Sequence, residues 1–323
     1  MSLSEVGTPM RDVGGKVAFI TGGDSGVGLG IARALVNAGM KVVITYLSQT
    51  HRDEALKVLD SAHVHAIRVD VTDRSGMEAA AAETVRVFGK VHVLVNNAAV
   101  APTSSLSNAT FEDWDWCWNV NVNGVFNGVH AFLPHIKSHL EGGQIVTTSS
   151  IFGLAIFRYS QGVYSTTKFA VIGMMEALRC ELANRNIGVS VFCPGPVKSN
   201  MVDCERNRPE ALRNLGKPDP DELAAIEADV KALPESVRND LASVVLDPIV
   251  VGERVLLGIR HNDLYIVSHP EYAQTIRDRC DALLASVRNE QTAAGNARTV
   301  YSEVLRNRMY LMESERQQHA GAH

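Results

Sequence analysis

Tyr164 and Lys168 stand four residues apart in a segment with helical patterning, so their side chains share one face about a turn apart. A tyrosine hydroxyl with its ordinary pKa of about 10 is too weak a base at neutral pH. A neighbouring ammonium favours the phenolate and makes proton exchange with an alcohol feasible. Taken alone, such a pair is more often the packing face of an amphipathic helix. Ser150 ends an apolar run fourteen positions before Tyr164, where a turn could bring its hydroxyl beside the phenol to bind a substrate oxygen. Satisfying strand-end backbone groups is the other use of Ser149 and Ser150.

A second chemistry-bearing run is Thr21-Gly22-Gly23-Asp24-Ser25-Gly26-Val27-Gly28. Its glycines allow a tight turn and close approach of the backbone to a pyrophosphate. A helix starting near Val27 would aim its free N–H groups at that anion. A glycine cluster is weak by itself, and its place between a buried strand and a helix strengthens it. Asn96-Asn97-Ala98-Ala99 closes a later apolar run with small and amide residues, which suit a dinucleotide or the capping of a loop.

Elements must hold these groups at one edge. Residues 17–21, 42–46, 66–71, 93–97, 145–148 and 189–192 are continuously apolar, as strands covered on both faces are, and residues 264–267 add a seventh. Helical patterns such as 28–38 and 77–88 lie between them, the latter stopped by Gly89. This rhythm predicts an α/β fold, a Rossmann-type doubly wound parallel sheet. A single domain over 1–323 is expected, with its core at 16–269. Residues 201–247, punctuated by prolines after the sixth strand, form a lid-like insert that orders over substrate. Residues 270–323 form a helical extension, with 271–287 helical and 313–323 frayed.

The 323 residues, 46% hydrophobic with a formal charge of −5, describe an ordinary globular chain without a Lys/Arg-rich run for nucleic acid. Five scattered cysteines without a CxxC pair suit a reducing compartment. The first thirteen residues lack an apolar signal core, and no apolar run reaches the roughly 20 residues that span a bilayer, so a cytoplasmic location and no membrane partner are expected. No metal set is expected: His135 and His139 have ligand spacing but no third ligand, and a solvated helix face explains them better. Trp114, Trp116 and Trp118 read as packing against the sheet or a neighbouring subunit.

Taken in order and spacing, the glycine loop, Asn96–Ala99, Ser150, Tyr164 and Lys168 resemble the motif set of the short-chain dehydrogenase/reductase family. Asn121 matches that family's helix asparagine, and Pro194-Gly195-Pro196-Val197-Lys198-Ser199 looks like its Pro-Gly motif. The resemblance spans residues 16–269. It implies an enzyme acting on CH–OH groups with seven parallel strands in the order 3-2-1-4-5-6-7. Tyr164 would be the acid/base, Lys168 its tuner and a ribose ligand, Ser150 the orienter of the substrate oxygen, and Asn121 the holder of a relay water. Cofactor contacts would come from Gly22, Asp24, Ser25, Gly26, Val27, Gly28, Tyr46, Ser48, Arg52, Asp70, Val71, Asn97, Ala98, Tyr164, Lys168, Pro194, Gly195, Val197 and Ser199. Three departures stand out: Ala99 replaces a glycine, Ser199 replaces a threonine, and the Ser150–Tyr164 interval is one residue longer than usual.

Short segments at 194–199, 207–210 and 261–272 are similar to benzylic (Cα) alcohol dehydrogenases of lignin-derived aryl ethers. That implies a bulky aromatic secondary alcohol or aryl ketone as the small-molecule substrate. Phe152, Phe157, Tyr159, Val100 and Met201 could line an apolar pocket, or be ordinary core. A 3-oxoacyl-thioester reductase and a non-catalytic NAD(P)-sensing protein are the alternatives. The acid that normally grips the adenosine ribose is absent from the end of strand two, where Tyr46 stands, followed by Ser48, Thr50, His51 and Arg52. NADP is therefore expected over NAD, with NAD possible; Ser25 counts against this, because many NADP-dependent relatives are basic there. The resemblance also implies a homodimer or homotetramer, and Phe169, Ile172, Met175 and Leu178 are expected to give more apolar surface than one sheet contact needs.

Overall fold

The computed structural model describes residues 9–59, 61–102, 104–157, 161–213, 234–287 and 305–320, with a few single positions between 224 and 232 and at 303. Its core is a parallel sheet of β1 (Val17–Ile20), β2 (Lys41–Tyr46), β3 (Val64–Arg68), β4 (Val93–Asn96), β5 (Gly143–Thr148), β6 (Ile187–Cys193) and β7 (Tyr265–Val267), in the order 3-2-1-4-5-6-7. The expected fold and strand order are those observed. The third strand was expected over 66–71 and instead occupies Val64–Arg68. Asp70 and Val71 lie beyond it, where Asp70 Oδ1 accepts from the Thr72 amide at 2.9 Å and turns the chain into the next helix.

Alternation along each strand splits the core in two. Phe19, Val43, Leu94, Ile145 and Val189 pack on one face with Phe132 and Met175. Ala18, Ile20, Val42, Val93 and Val146 pack on the other with Ile31, Leu35, Val251 and Val255. The covering helices are α1 (Gly26–Asn37), α2 (Gln49–Val58), α3 (Arg74–Phe88), α4 (Phe111–Trp118), α5 (Gly124–Ser138) and α6 (Gly162–Glu181), with a further helix at Pro248–His261. Helix α1 can touch Pro248–His261 because Gly30 has no side chain: a Cβ there would lie 1.9 Å from the Pro248 carbonyl oxygen. Among the described residues, no helix is long and apolar enough to cross a membrane.

Contacts divide the described residues into two compact units, one with the sheet up to His269 and one from Pro270 onward. In the second, Ala273–Ala285 is helical, and so is Arg308–Ala320, with Met309 and Met312 buried. The expected fraying from residue 313 is thus overturned up to Ala320, because apolar side chains there find cover. Of the four apolar residues expected to be spare, Ile172, Met175 and Leu178 are buried in the core of this chain, since α6 leans on β5 and β6, and Phe169 is half-buried.

Candidate active site

The carboxyl ends of β1, β4, β5 and β6 converge, and hydrogen bonds between their loops fix the crevice. Thr21 Oγ1 accepts from the amides of Asn97 at 2.8 Å and Ala98 at 3.0 Å. Asn97 Nδ2 donates to the carbonyls of Thr21 at 3.1 Å and Gly22 at 3.2 Å. The Asn-Asn-Ala-Ala run therefore braces the glycine loop, and Thr21 is the partner that sequence reading passed over. Gly28 has to be glycine, because a Cβ there would lie 2.1 Å from the Gly22 carbonyl oxygen. Ser25 stands at the N-cap of α1, whose first amides open into the crevice, as a pyrophosphate needs. Ser199 Cβ would be 2.9 Å from a Cβ at Gly26, which brings the Pro-Gly segment onto the same loop. A dinucleotide fits this cradle.

The Pro-Gly segment is held from several sides. The Pro194 carbonyl accepts from the Ile151 amide at 3.0 Å, and Gly195 N donates to Ser268 Oγ and His269 Nδ1, each at 3.2 Å. His269 Nε2 lies 2.9 Å from the Val244 carbonyl. Val197 bridges to Leu246, with Lys198 N donating to the Leu246 carbonyl and Leu246 N to that of Pro196, both at 3.0 Å. Both ends of the expected lid are thereby tied at a common stem.

Lys168 is buried on α6, and its ammonium donates to the Thr148 carbonyl at 2.9 Å while lying 5.3 Å from the centre of the Tyr164 ring. Burial lowers its pKa to about 8, against the pull of Cys117 and Cys193. Tyr164 moves the other way, its phenol held above the ordinary range by burial and eased by the neighbouring Ser150 hydroxyl. The same burial pushes the Cys117 and Cys193 thiols up to about 12, so neither is a competing nucleophile. The two serines separate: Ser149 Oγ donates to the Lys168 carbonyl at 2.8 Å and is structural, whereas Ser150 Oγ accepts from the Phe152 amide at 3.2 Å and lies on the side of the phenol.

Asn121 sits in a π-helical turn, Asn119–Asn123, between α4 and α5. Its side chain closes a pair of 2.8 Å bonds with the amide and carbonyl of Val100 and donates to Thr167 Oγ1 at 3.0 Å. Thr167 in turn donates to the Tyr164 carbonyl at 2.7 Å. Asn121 therefore has its amide committed to protein partners, and it positions the loop after β4 at Val100 and the turn of α6 carrying Tyr164. Only a residue just before Lys168 with a short hydroxyl side chain hints at Thr167 in the sequence.

The Phe152 ring lies 6.1 Å from that of Tyr164 and 5.2 Å from Phe157, both edge-on. Met201 packs with Phe152 and Tyr164, while Val100 joins Trp116 and Cys204. Tyr159 lies outside the described residues. Trp114 and Trp118 stack at 5.5 Å, and Arg208 lies 4.3 Å over Trp116 while its Nη2 donates to Asp113 at 2.5 Å, a buried pair.

At the adenosine end, Arg52 lies 5.5 Å from the Tyr46 ring centre and donates from Nε to Asp53 at 2.9 Å. Ser48 caps α2 by accepting from the His51 amide. Asn127 Nδ2 donates to the Val71 carbonyl at 2.9 Å, which fixes the loop after β3. His139 does not pair with His135: with His92 and Glu141 it forms a cluster within 4.8 Å at the opposite edge of the sheet. Their nitrogen and oxygen atoms are already bonded to Val17 N, the Val91 carbonyl, Lys16 and Lys90.

The family model for short chain dehydrogenases matches residues 16–210. The C alpha-dehydrogenase of Sphingobium sp. is 33% identical over 281 residues, covering 86% of this chain and 88% of that protein. A short-chain dehydrogenase/reductase from Burkholderia phymatum, solved in complex with NAD, superposes with a TM-score of 0.77 at 33% identity, covering 88% of this chain and all of the other. The apo form of LigO from Sphingobium sp. strain SYK-6 gives 0.71 at 35% identity over 92% of this chain and 99% of its own.

Proposed function

Since this chain belongs to the short-chain dehydrogenase/reductase family and is an oxidoreductase of CH–OH groups, we propose that it interconverts bulky aromatic secondary alcohols and aryl ketones with a nicotinamide cofactor. The observation that carries this reading is the Tyr164 hydroxyl beside Ser150 on one side and the buried Lys168 ammonium on the other, with Phe152, Phe157 and Met201 packed around it. The C alpha-dehydrogenase relative and the LigO neighbour favour the aromatic choice.

The cofactor supplies or accepts the hydride. Ser150 donates to the substrate oxygen and holds it beside Tyr164. In ketone reduction the Tyr164 hydroxyl gives its proton to that oxygen, and in alcohol oxidation it takes the proton back. Lys168, charged at neutral pH, offsets the phenolate that forms and faces the nicotinamide ribose. Asn121 keeps the α6 turn in register through Thr167. Gly22, Asp24, Ser25, Gly26, Val27 and Gly28 would hold the pyrophosphate and adenosine ribose, Asp70 and Val71 would flank the adenine, and Pro194, Gly195, Val197 and Ser199 would border the carboxamide, with Asn97 and Ala98 bracing the loop. NADP(H) is preferred to NAD(H), because β2 ends in Tyr46 rather than an acid and Arg52 lies against that ring.

The test follows absorbance of the reduced nicotinamide with an aryl ketone, a 3-oxoacyl thioester and the matching alcohols. Turnover of the aryl ketone at least about tenfold better in kcat/KM is expected, the scale of one well-filled apolar contact. Preference for the thioester would move the reading to that substrate, and no turnover of any ketone would leave a cofactor-sensing protein.

A further inference from the structure

The glycine loop carries a carboxylate that the catalytic set does not use. Asp24 is only 9% exposed, and its Oδ2 lies 4.0 Å from His51 Nδ1 in the first turn of α2. Burial raises its pKa, while the loop backbone, His51 and Arg206 pull it down. Among the described residues no side chain lies within hydrogen-bond distance of it as a donor. Its carboxylate thus stands in the gap between the glycine loop and the turn after β2. That gap is where the adenosine ribose lies in a doubly wound sheet, and an acid at the end of the second strand normally grips the ribose hydroxyls there. Here Tyr46 takes that place and the acid is on the opposite wall.

We propose that Asp24 accepts the 2′- and 3′-hydroxyls of the NAD adenosine ribose and opposes a 2′-phosphate, so that it sets how far NADP(H) is favoured. The inference rests on the cofactor reading above and deepens it. Two walls act in opposite senses. Arg52 and His51 draw a phosphate toward the β2 side, and Asp24 rewards a free hydroxyl on the loop side. A carboxylate moved from the strand to the loop could keep the acceptor role, because Asp24 Oδ2 lies 4.0 Å from His51 in the first turn after β2 and so reaches the space a strand-end acid would reach. The carboxylate of Asp24 gains partners on binding that the free enzyme does not give it.

Asp24→Asn keeps the shape and removes the charge, and Asp24→Ser serves as a second variant in the same loop. Dissociation constants are measured by fluorescence titration with NADPH and NADH, and with adenosine 2′,5′-bisphosphate and AMP as competitors, alongside thermal melts. Both variants are expected to raise the affinity ratio of NADPH over NADH by about tenfold or more, the scale of one charge-assisted hydrogen bond. The bisphosphate should gain on AMP in parallel, and Arg52→Ala should move both ratios the other way. Wild type that binds both dinucleotides, with a ratio unchanged in the Asp24 variants or with both affinities lost equally, overturns this inference alone. Wild type that binds neither overturns the cofactor reading and this inference with it.

Discussion

Burial drives the two groups on the face of α6 in opposite directions, and both shifts protect the neutral form. The Tyr164 phenol stays protonated in the free enzyme, ready as an acid, and the Lys168 ammonium titrates near 8. Tyr164→Phe keeps the ring against Phe152 and loses only the hydroxyl. It should fold and bind cofactor normally while kcat falls about 10²–10⁴-fold; near-normal turnover would remove the acid/base assignment. Lys168 has a cost in stability. Its ordinary value of 10.5 falls to about 8, so between those values the unfolded chain binds the proton and the folded chain does not. Stability therefore rises with pH across that window, and below it the buried charge costs on the order of 3 kcal/mol. Lys168→Met should abolish turnover yet melt higher than wild type at pH 7, with the gain fading from pH 8 upward. A variant that melts lower at pH 7 would show that the bond to Thr148 outweighs the desolvation.

At the scale of elements, the segment after β6 is less free than its prolines imply. Residues 201–213 are strapped to α4 by the buried Arg208–Asp113 pair and by Arg208 stacking on Trp116. Pro196–Lys198 and Leu246 close the stem. A lid that orders over substrate can then involve only what lies between strap and stem, much of it outside the described residues. Arg208→Ala takes the cation from the buried Asp113 carboxylate, which keeps its hydrogen bonds from Ser104 and Thr110, at a cost on the order of 3 kcal/mol, and Arg208→Lys cannot both stack and fork. Hydrogen exchange across Met201–Asn207 should be slow with and without ligands in wild type, and fast in Arg208→Ala. Slowing only on ligand binding would restore a fully mobile lid. The sequence showed the prolines and charges of this stretch. It could not show a partner 95 residues away on α4.

For the whole molecule, Ile172, Met175 and Leu178 of α6 are buried against the sheet, and large exposed apolar side chains appear on α4 and α5 instead. Phe111 is 86% exposed and Phe126 55%. Large aromatics at that exposure on adjacent helices favour burial against a second copy. Sedimentation at micromolar concentration should give a dimer or tetramer, and Phe126→Glu should shift it toward monomer; a wild-type monomer would exclude this face.

What the sequence determined by itself follows from local rules. Continuous apolar runs are strands covered on both sides, a glycine cluster after the first of them is a phosphate turn, and a four-residue spacing puts Tyr164 and Lys168 on one face. Strand order and the sheet edge carrying the site came with the motif set, because right-handed crossovers leave few alternatives. What only the tertiary structure decided lies in contacts between distant segments. It separated Ser149 from Ser150 by what each faces and gave the side chain of Asn121 to Val100 and Thr167. It turned Ile172 and Met175 inward and set Asp24 across a gap from His51. Periodicity tells which side of an element a residue occupies. It does not tell which element packs there, and burial, pairing and pKa all depend on that.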